Sequence, residues 1–515
     1  LIIGASNYAA SAASRGRYDA VVIGGGTVGL IITESLVRRG LRVCVVEAGN
    51  AVARHPTGVL AAQSTGKKHA GVTLGRAVGL GGTSTLWGGQ LAMFAPDDLA
   101  RKGHEWPFGY AELRPWYDAA CAVLGIPAPH PSSDYLDAYG VPAPPHGTLE
   151  PFFTAWLPQP NMAQLFRATI ESDQVDLVLD ATAHAFDFEG ERAEGVRVKS
   201  RDGVDFTIAA RHVILAAGTL GNVQIMLSAG KHGPVPWRDN ALVGAYFHDH
   251  LSAIAGSIEV LDNAAFHRMF DNGVALGTKL QTKLRAKIRP ADQPAVCGYF
   301  GFRSSHHDRI AEVKRLIRSF RSGLSFTDLA ALPRATVTLG KVFLPIALRY
   351  ARQRRILLLH DLGIDFLIQA EQWPIARSRI VATGEPDATG LVPVALDWQL
   401  DGREVPAIRD FVAQAGEFLE SNGLAKVHPA AWLDDGPEGL RAVEDCYHQS
   451  GGLRMGTTAA TGVTDGNATV FGTANVSVAG ASILPSSSYA NITFTAMALA
   501  LRLADRVAHR VGLEA

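Results

Sequence analysis

An α/β fold in two domains is what three features of the sequence predict. At the front, residues 18–47 read as strand, glycine turn, helix and second strand. In "RHVILAAGTLGNVQIMLSAG", residues 211–230, a buried-strand run, a small-residue turn and a helix recur. Beyond residue 230 lie the β-rich segments 251–260, 296–303, 363–382 and 389–399, which predict an antiparallel or mixed sheet plus helices.

The bulk composition permits this. A chain of 515 residues, 47% hydrophobic and 19% charged, is long enough for two domains around large cores. A net charge of −1 gives no reason to expect a nucleic-acid partner. The cysteines Cys44, Cys121, Cys297 and Cys446 are far apart and form no CxxC pair, so neither a disulfide framework nor a metal site is expected. No run approaches the roughly 18 apolar residues that span a bilayer. Residues 1–17 lack a basic segment followed by an apolar core and read as an N-terminal tail. Whether a targeting segment precedes them stays open, and the cytoplasm is the default location.

The first unit is "YDAVVIGGGTVGLIITESLVRRGLRVCVVEAG". Its apolar run 18–23 suits a buried strand, and the following pattern through Leu30, Leu36 and Val37 suits a helix closed by Gly40. A second β-branched run, 41–46, ends in Glu47. Gly24, Gly26 and Gly29 form GxGxxG between strand and helix. Gly24 permits the tight turn, Gly26 lets a pyrophosphate approach the backbone, and Gly29 allows close helix–strand packing. The helix N-terminus offers unpaired N–H groups to phosphate. Glu47, 18 residues beyond Gly29, stands where a carboxylate accepts ribose hydroxyls. This is a Rossmann-like dinucleotide site, and the motif by itself leaves NAD and FAD both open.

A second glycine-rich stretch, "RAVGLGGTSTLWGG" at 76–89, interleaves hydroxyls with Leu80, Leu86 and Trp87. Glycines allow backbone to approach a large flat ligand, Thr83, Ser84 and Thr85 offer hydrogen bonds, and the apolar residues suit burial better than water. Ala216, Ala217 and Gly218, at the turn of the 211–230 unit, again suit close approach to a cofactor.

Together with "LVGAYFHDH" (242–250) and the C-terminal block that opens "YHQSGGLRMG" at 447, these stretches resemble the glucose–methanol–choline (GMC) oxidoreductases. These are FAD enzymes that oxidise alcohols, and the matching islands occur here in family order. Within the family the chain is similar to the pyranose oxidase and bacterial sugar or glycoside dehydrogenase branch, through "EQWPIARSRI" (371–380) and "ANITFTAMALALRLAD" (490–505).

The resemblance implies a Rossmann-like FAD-binding domain and His448 as catalytic base with Asn491 as its partner. It implies FAD contacts from Gly24, Gly26, Thr27, Gly29, Glu47 and Ala48, then from Gly82, Thr83, Ser84, Leu86, Trp87, Gly88 and Gly89. Ala217, Gly218, Asn491 and Thr493 complete that set, Ala183 in "LDATAHAF" is implied beside the adenine, and Gly480–Ala481 against the flavin. Pyranose oxidases carry a histidine in "STHW" that bonds the flavin covalently. Here the motif is "STLW", and Leu86 implies noncovalent FAD. Gly88 replaces a threonine near the flavin reaction centre, which favours a dehydrogenase over an oxidase.

The chemistry suits the residues. Oxidation of an alcohol by a flavin sends a hydride to N5 and needs a base for the hydroxyl proton. A neutral imidazole, with an ordinary pKa near ~6.5, serves around neutrality, and the Asn491 amide can hold the same oxygen. The expected reaction is oxidation of a secondary hydroxyl of a sugar or glycoside, at pyranose C3 or C2, to a ketone. A quinone, another redox carrier or oxygen takes the electrons. The rivals are a GMC enzyme for a non-sugar alcohol, a non-catalytic FAD-binding partner protein, and an NAD-linked dehydrogenase. His448 and Asn491 together argue against the second, and the C-terminal block against the third. Of 17 histidines, His250, His306, His307 and His428 are read as satisfied or surface residues. No serine sits in a G-x-S-x-G elbow.

The FAD-binding domain is expected to be discontinuous, at 18–100, 175–250 and 450–515, with the substrate domain at 101–174 and 251–449. Residues 279–355 carry 17 Lys and Arg against 4 Asp and Glu. "DRIAEVKRLIRSFRSGL" and "KVFLPIALRYARQRRILLL" there read as basic amphipathic helices. A helical insertion packed on its own domain, or a contact between copies of the chain, is expected, and a membrane contact is not.

Overall fold

Tyr18–Ile23, Val43–Val46 and Val175–Leu179 are apolar runs buried along almost their whole length. Strands covered on both faces belong in a parallel sheet, and these three lie side by side and parallel. In the computed structural model, which describes residues 1–12, 15–306 and 344–513, they form the centre of an eight-stranded sheet. The second half of Asp205–Leu215 runs parallel to Tyr18–Ile23, and Val476–Val478 runs parallel to it. Its first half turns antiparallel against Arg192–Ser200, which pairs with Ala181–Glu189. Helix Thr27–Val37 is buried from Gly29 to Leu36 and packs against the C-terminal helix Ile492–Leu513.

The N-terminal segment is not a free tail. Ile2–Gly4 pairs in parallel with Val175–Leu179 at the sheet edge, and helix Ala5–Ala9 follows. Tyr8 is buried there, with its hydroxyl 3.0 Å from that of Tyr18. The segment was illegible locally because a three-residue strand is defined by the edge it covers.

A nine-stranded antiparallel sheet forms the second layer. Its order is Ala425–Pro429, His250–Val260, Gly363–Glu371, Val296–Arg303, Thr278–Ala286, Leu149–Trp156 and Gln90–Leu91, with two short strands beside this path. Helix Glu404–Ser421 backs it, Phe411 stacking on Phe366 with ring centroids 6.5 Å apart. Two expectations need correction. Arg379–Ala382 and Val394–Trp398 leave this sheet and form a separate three-stranded one with Gln63–Gly66. The stretch 279–355 is also no purely helical insertion, since Thr278–Ala286 and Val296–Arg303 are core strands.

Helix Leu344–Gln353 does form within the second basic stretch, whereas 308–324 lies outside the described residues. Arg349 pairs with Asp271 at 2.7 Å, and Arg355 lies 3.8 Å above the Tyr139 ring. Those two cations face their own domain, while Arg352 and Arg354 face solvent. Among the described residues, no helix is long and apolar enough to cross a membrane.

Candidate active site

A cleft opens at the C-terminal ends of the parallel strands, where open α/β sheets bind their ligands. Its wall includes Gly24, Gly26, Thr27, Glu47, Ala48, Gly82, Thr83, Ala183, Ala217, Gly218, Gly480, Ala481 and Thr493. The three motif glycines have separable reasons. Gly24 has φ +115°, and a Cβ there would lie 2.5 Å from the Ala216 carbonyl oxygen. A Cβ on Gly29 would lie 1.9 Å from the Gly24 oxygen. At Gly26 the backbone is ordinary, with φ −88°, and the nearest atom to an added Cβ is 3.8 Å away. The protein itself leaves room at Gly26, so the constraint there comes from a ligand. Gly26 also caps helix Thr27–Val37 without any capping side chain, leaving first-turn N–H groups for phosphate oxygens.

Glu47 is buried, and its carboxylate accepts from the backbone N–H groups of Gly25, Gly49 and Gly79, each at 2.8 Å. It therefore joins three loops around the cleft as well as facing it. Burial pushes its pKa up, and those three donors oppose the shift. Arg76, which the sequence reading passed over, also lines the cleft. It donates to the Leu60 carbonyl at 3.0 Å, and burial lowers its pKa to about 10. The set of an uncapped helix start, a carboxylate at the end of the second parallel strand and a cationic wall would suit FAD.

Several of the implied contacts sit elsewhere. Gly29, Ser84, Leu86, Trp87, Gly88, Gly89 and Asn491 are not on the wall of this cleft. The Ser84 hydroxyl accepts from the Met162 N–H at 3.0 Å, and the Trp87 indole donates to the Pro160 carbonyl at 2.9 Å. Leu86 is 49% exposed, contrary to the expectation that it would be buried. In the 3-10 turn Gly82–Thr85, the first two residues line the cleft.

His448 lies between Tyr447 and Gln449, both on the cleft wall. Asn491 approaches from the start of the C-terminal helix, its Nδ2 3.3 Å from His448 Nε2. The Asn491 Oδ1 is buried with no partner among the described residues. His250, read from sequence as an ordinary histidine, places its Nδ1 2.9 Å from His448 Nδ1. Asp249 explains how two imidazoles 198 positions apart are held together: its Oδ1 accepts from the backbone N–H of His448 at 2.8 Å and of His250 at 2.6 Å. Asp249 Oδ2 meets His69 Nε2 at 3.0 Å, and His69 Nδ1 faces Asp445 at 3.5 Å. This buried cluster has a carboxylate opposite each ring nitrogen, which makes it a brace behind the two histidines.

The remaining histidines differ. His428 forms an exposed pair with Glu259 at 3.0 Å, His306 lies at the edge of the described residues, and His307 lies outside them. Backbone strain also collects here. Tyr447 and Ser488, both non-glycine, have φ +63° and +56°, a conformation that persists where surrounding contacts over-determine it. Ser488 is held by Glu371, whose carboxylate accepts its N–H at 3.1 Å and pairs with buried Arg101 at 3.2 Å.

Burial lowers the His448 pKa to about 4, with a smaller push from the buried Lys283 ammonium. Burial lowers His250 to about 3, with His448 adding to the shift. Both rings are therefore neutral through the physiological range. A base must be unprotonated to accept, so activity is present above its pKa and lost as pH falls through it. The acid limb of kcat/KM is predicted near 4, not near the ordinary 6.5. Initial rates across the acid range test this, and a limb at 6.5 would contradict the burial argument.

Comparison with known proteins gives matches at the level of family and fold. The family described as FAD dependent oxidoreductase matches residues 19–323, and that described as GMC oxidoreductase matches 374–500. Among curated proteins no sequence gives a significant match. Of solved structures, pyridoxine 4-oxidase from Mesorbium loti aligns over 96% of this chain and 99% of its own, with TM-score 0.60 and 16% identity. A formate oxidase from Aspergillus oryzae RIB40 aligns over 96% and 98%, with TM-score 0.57 and 14% identity. A fungal aryl-alcohol oxidase aligns over 96% and 99%, with TM-score 0.57 and 16% identity. At such identities these structures speak for the fold alone. With an FAD family match across more than half its length and a GMC match across the segment carrying His448 and Asn491, the chain belongs to the FAD-dependent oxidoreductases of the GMC superfamily.

Proposed function

We propose that this protein oxidises a secondary hydroxyl of a sugar or glycoside, at C3 or C2 of the pyranose, to a ketone. The observation that carries the alcohol chemistry is the His448–Asn491 pair, 3.3 Å apart beside the cleft wall. Bound FAD supplies the two-electron, hydride-accepting chemistry. His448 Nε2 takes the hydroxyl proton, and Asn491 Nδ2 donates to the substrate oxygen, fixing which hydroxyl is presented. Lys283, buried near enough to depress the His448 pKa, favours negative charge developing on that oxygen.

The sugar assignment rests on the sequence likeness of "EQWPIARSRI" and "ANITFTAMALALRLAD" to the sugar and glycoside branch. A second reading, oxidation of a non-sugar alcohol, draws on the pyridoxine and aryl-alcohol oxidases that share the fold. FAD is held noncovalently in this reading, since the stretch that resembles the covalent-link motif reads STLW, and Leu86 has no nucleophilic atom. A quinone or similar carrier is preferred to oxygen on the same likeness, since Gly88 stands where pyranose oxidases carry a threonine and offers no side-chain donor.

Sugars, glycosides and non-sugar alcohols offered anaerobically to the yellow protein test the substrate class through bleaching of the flavin band. Air and benzoquinone at equal concentration then test the acceptor. Bleaching by glycosides at well below the concentration needed for simple or aryl alcohols is expected, with faster reoxidation by quinone. Bleaching by a non-sugar alcohol alone would replace the sugar reading with the second one.

A further inference from the structure

The hydrogen bonds around His250 admit one arrangement of protons, and that arrangement determines the state of His448. His250 Nε2 lies 3.1 Å from the Ser487 carbonyl oxygen, which can only accept. The Nε2 must therefore carry a proton. In a neutral imidazole the other nitrogen, Nδ1, is then a bare acceptor. Gln369 agrees independently: its Nε2 is 2.6 Å from the Tyr489 carbonyl, so that atom is the amide nitrogen, and it is also 3.0 Å from His250 Nδ1.

We infer that His250 is a positioning residue for the reaction: its bare Nδ1 accepts the Nδ1–H of His448 and thereby leaves His448 Nε2 unprotonated toward the substrate. The contact between the two Nδ1 atoms is 2.9 Å, and two neutral rings can make it only with one proton between them. Placing that proton on His250 would set a bare Nε2 against the Ser487 carbonyl and an N–H against the Gln369 amide. Placing it on His448 removes both clashes, with His250 Nδ1 shared between two donors. The Asn491 amide 3.3 Å from His448 Nε2 fits the same assignment, as a donor facing a lone pair. His250 so plays toward His448 the part that a carboxylate plays toward the histidine of a serine hydrolase, where the wrong tautomer lowers kcat by roughly 10⁴. Substrate oxidation then moves the hydroxyl proton to His448 Nε2, giving an imidazolium whose Nδ1–H still donates to His250.

This inference rests on His448 being the base proposed above, and its test separates the two. Histidine-nitrogen NMR of the FAD-loaded protein, with the His448 signals identified by their loss in His448→Ala, reads the tautomer without any turnover. A protonated Nδ1 and an imine-type Nε2 are expected in the wild type. A protonated Nε2 there would overturn the inference, whether or not any alcohol reduces the protein. Kinetics supply the second readout. His250→Leu, which removes the acceptor, is expected to lower the rate of flavin reduction at saturating substrate by roughly 10²–10⁴-fold with little change in KM. His250→Asn, whose Oδ1 can accept the same Nδ1–H, is expected to recover most of that loss. Equal impairment of the Leu and Asn variants, or a Leu variant near the wild-type rate, would remove the positioning role. Failure of every alcohol to reduce the wild type would instead strike the proposed reaction, with the NMR result still standing.

Discussion

His448→Ala is expected to slow flavin reduction by roughly 10²–10⁴-fold, the usual weight of a positioned base, while FAD stays bound. The reason lies in what surrounds the ring. It is half-buried and neutral, its backbone N–H is held by Asp249 at 2.8 Å, and its Nδ1 is engaged by His250. Alanine keeps the backbone bond and the cleft wall formed by Tyr447 and Gln449, so the loss falls on proton transfer. Asn491→Ala is expected to slow reduction less, because it removes orientation and leaves the base. Stopped-flow reduction at saturating substrate measures both. A His448→Ala protein reduced near the wild-type rate would return this histidine to a structural role.

Gly26→Val is expected to leave the protein folded and to weaken FAD by roughly two orders of magnitude, equivalent to overpacking a tight contact by ~3 kcal/mol. The backbone at Gly26 tolerates a side chain, and an added Cβ meets nothing closer than 3.8 Å, so folding has little reason to fail. The added methyls instead occupy the approach to the helix N-terminus. Gly29→Ala is the contrasting control. Its Cβ would lie 1.9 Å from the Gly24 oxygen, so this smaller change should destabilise the fold itself. Circular dichroism and thermal melting report folding, and fluorescence titration of the apoprotein reports FAD affinity. Equal FAD affinity in Gly26→Val and wild type would show that the pyrophosphate does not cross this turn.

What the sequence determined by itself is the part that neighbours along the chain control. Tyr18–Ile23, the GxGxxG turn, helix Thr27–Val37 and Glu47 lie within 30 residues, and each follows from periodicity, glycine geometry or the sheet's need for burial. His448 and Asn491 stood out as candidates as well, because both lie in C-terminal motifs that resemble a known family, and the fold brings their side chains within 3.3 Å. Only the tertiary structure decided which groups stand around them. His250 ends a stretch that resembles the family, but nothing local says that it binds His448 while His428 forms a surface pair. Asp249, His69 and Asp445 meet only when strand His250–Val260 comes alongside Glu444–Asp445 and the 63–72 region. Lys283 reads as one charge in a basic run until strand Thr278–Ala286 turns it inward. The physical reason is that a strand's side chains alternate between faces, and which face is buried depends on its pairing partners. The protonation state of a buried imidazole likewise depends on the groups opposite it, here brought from more than a hundred positions away.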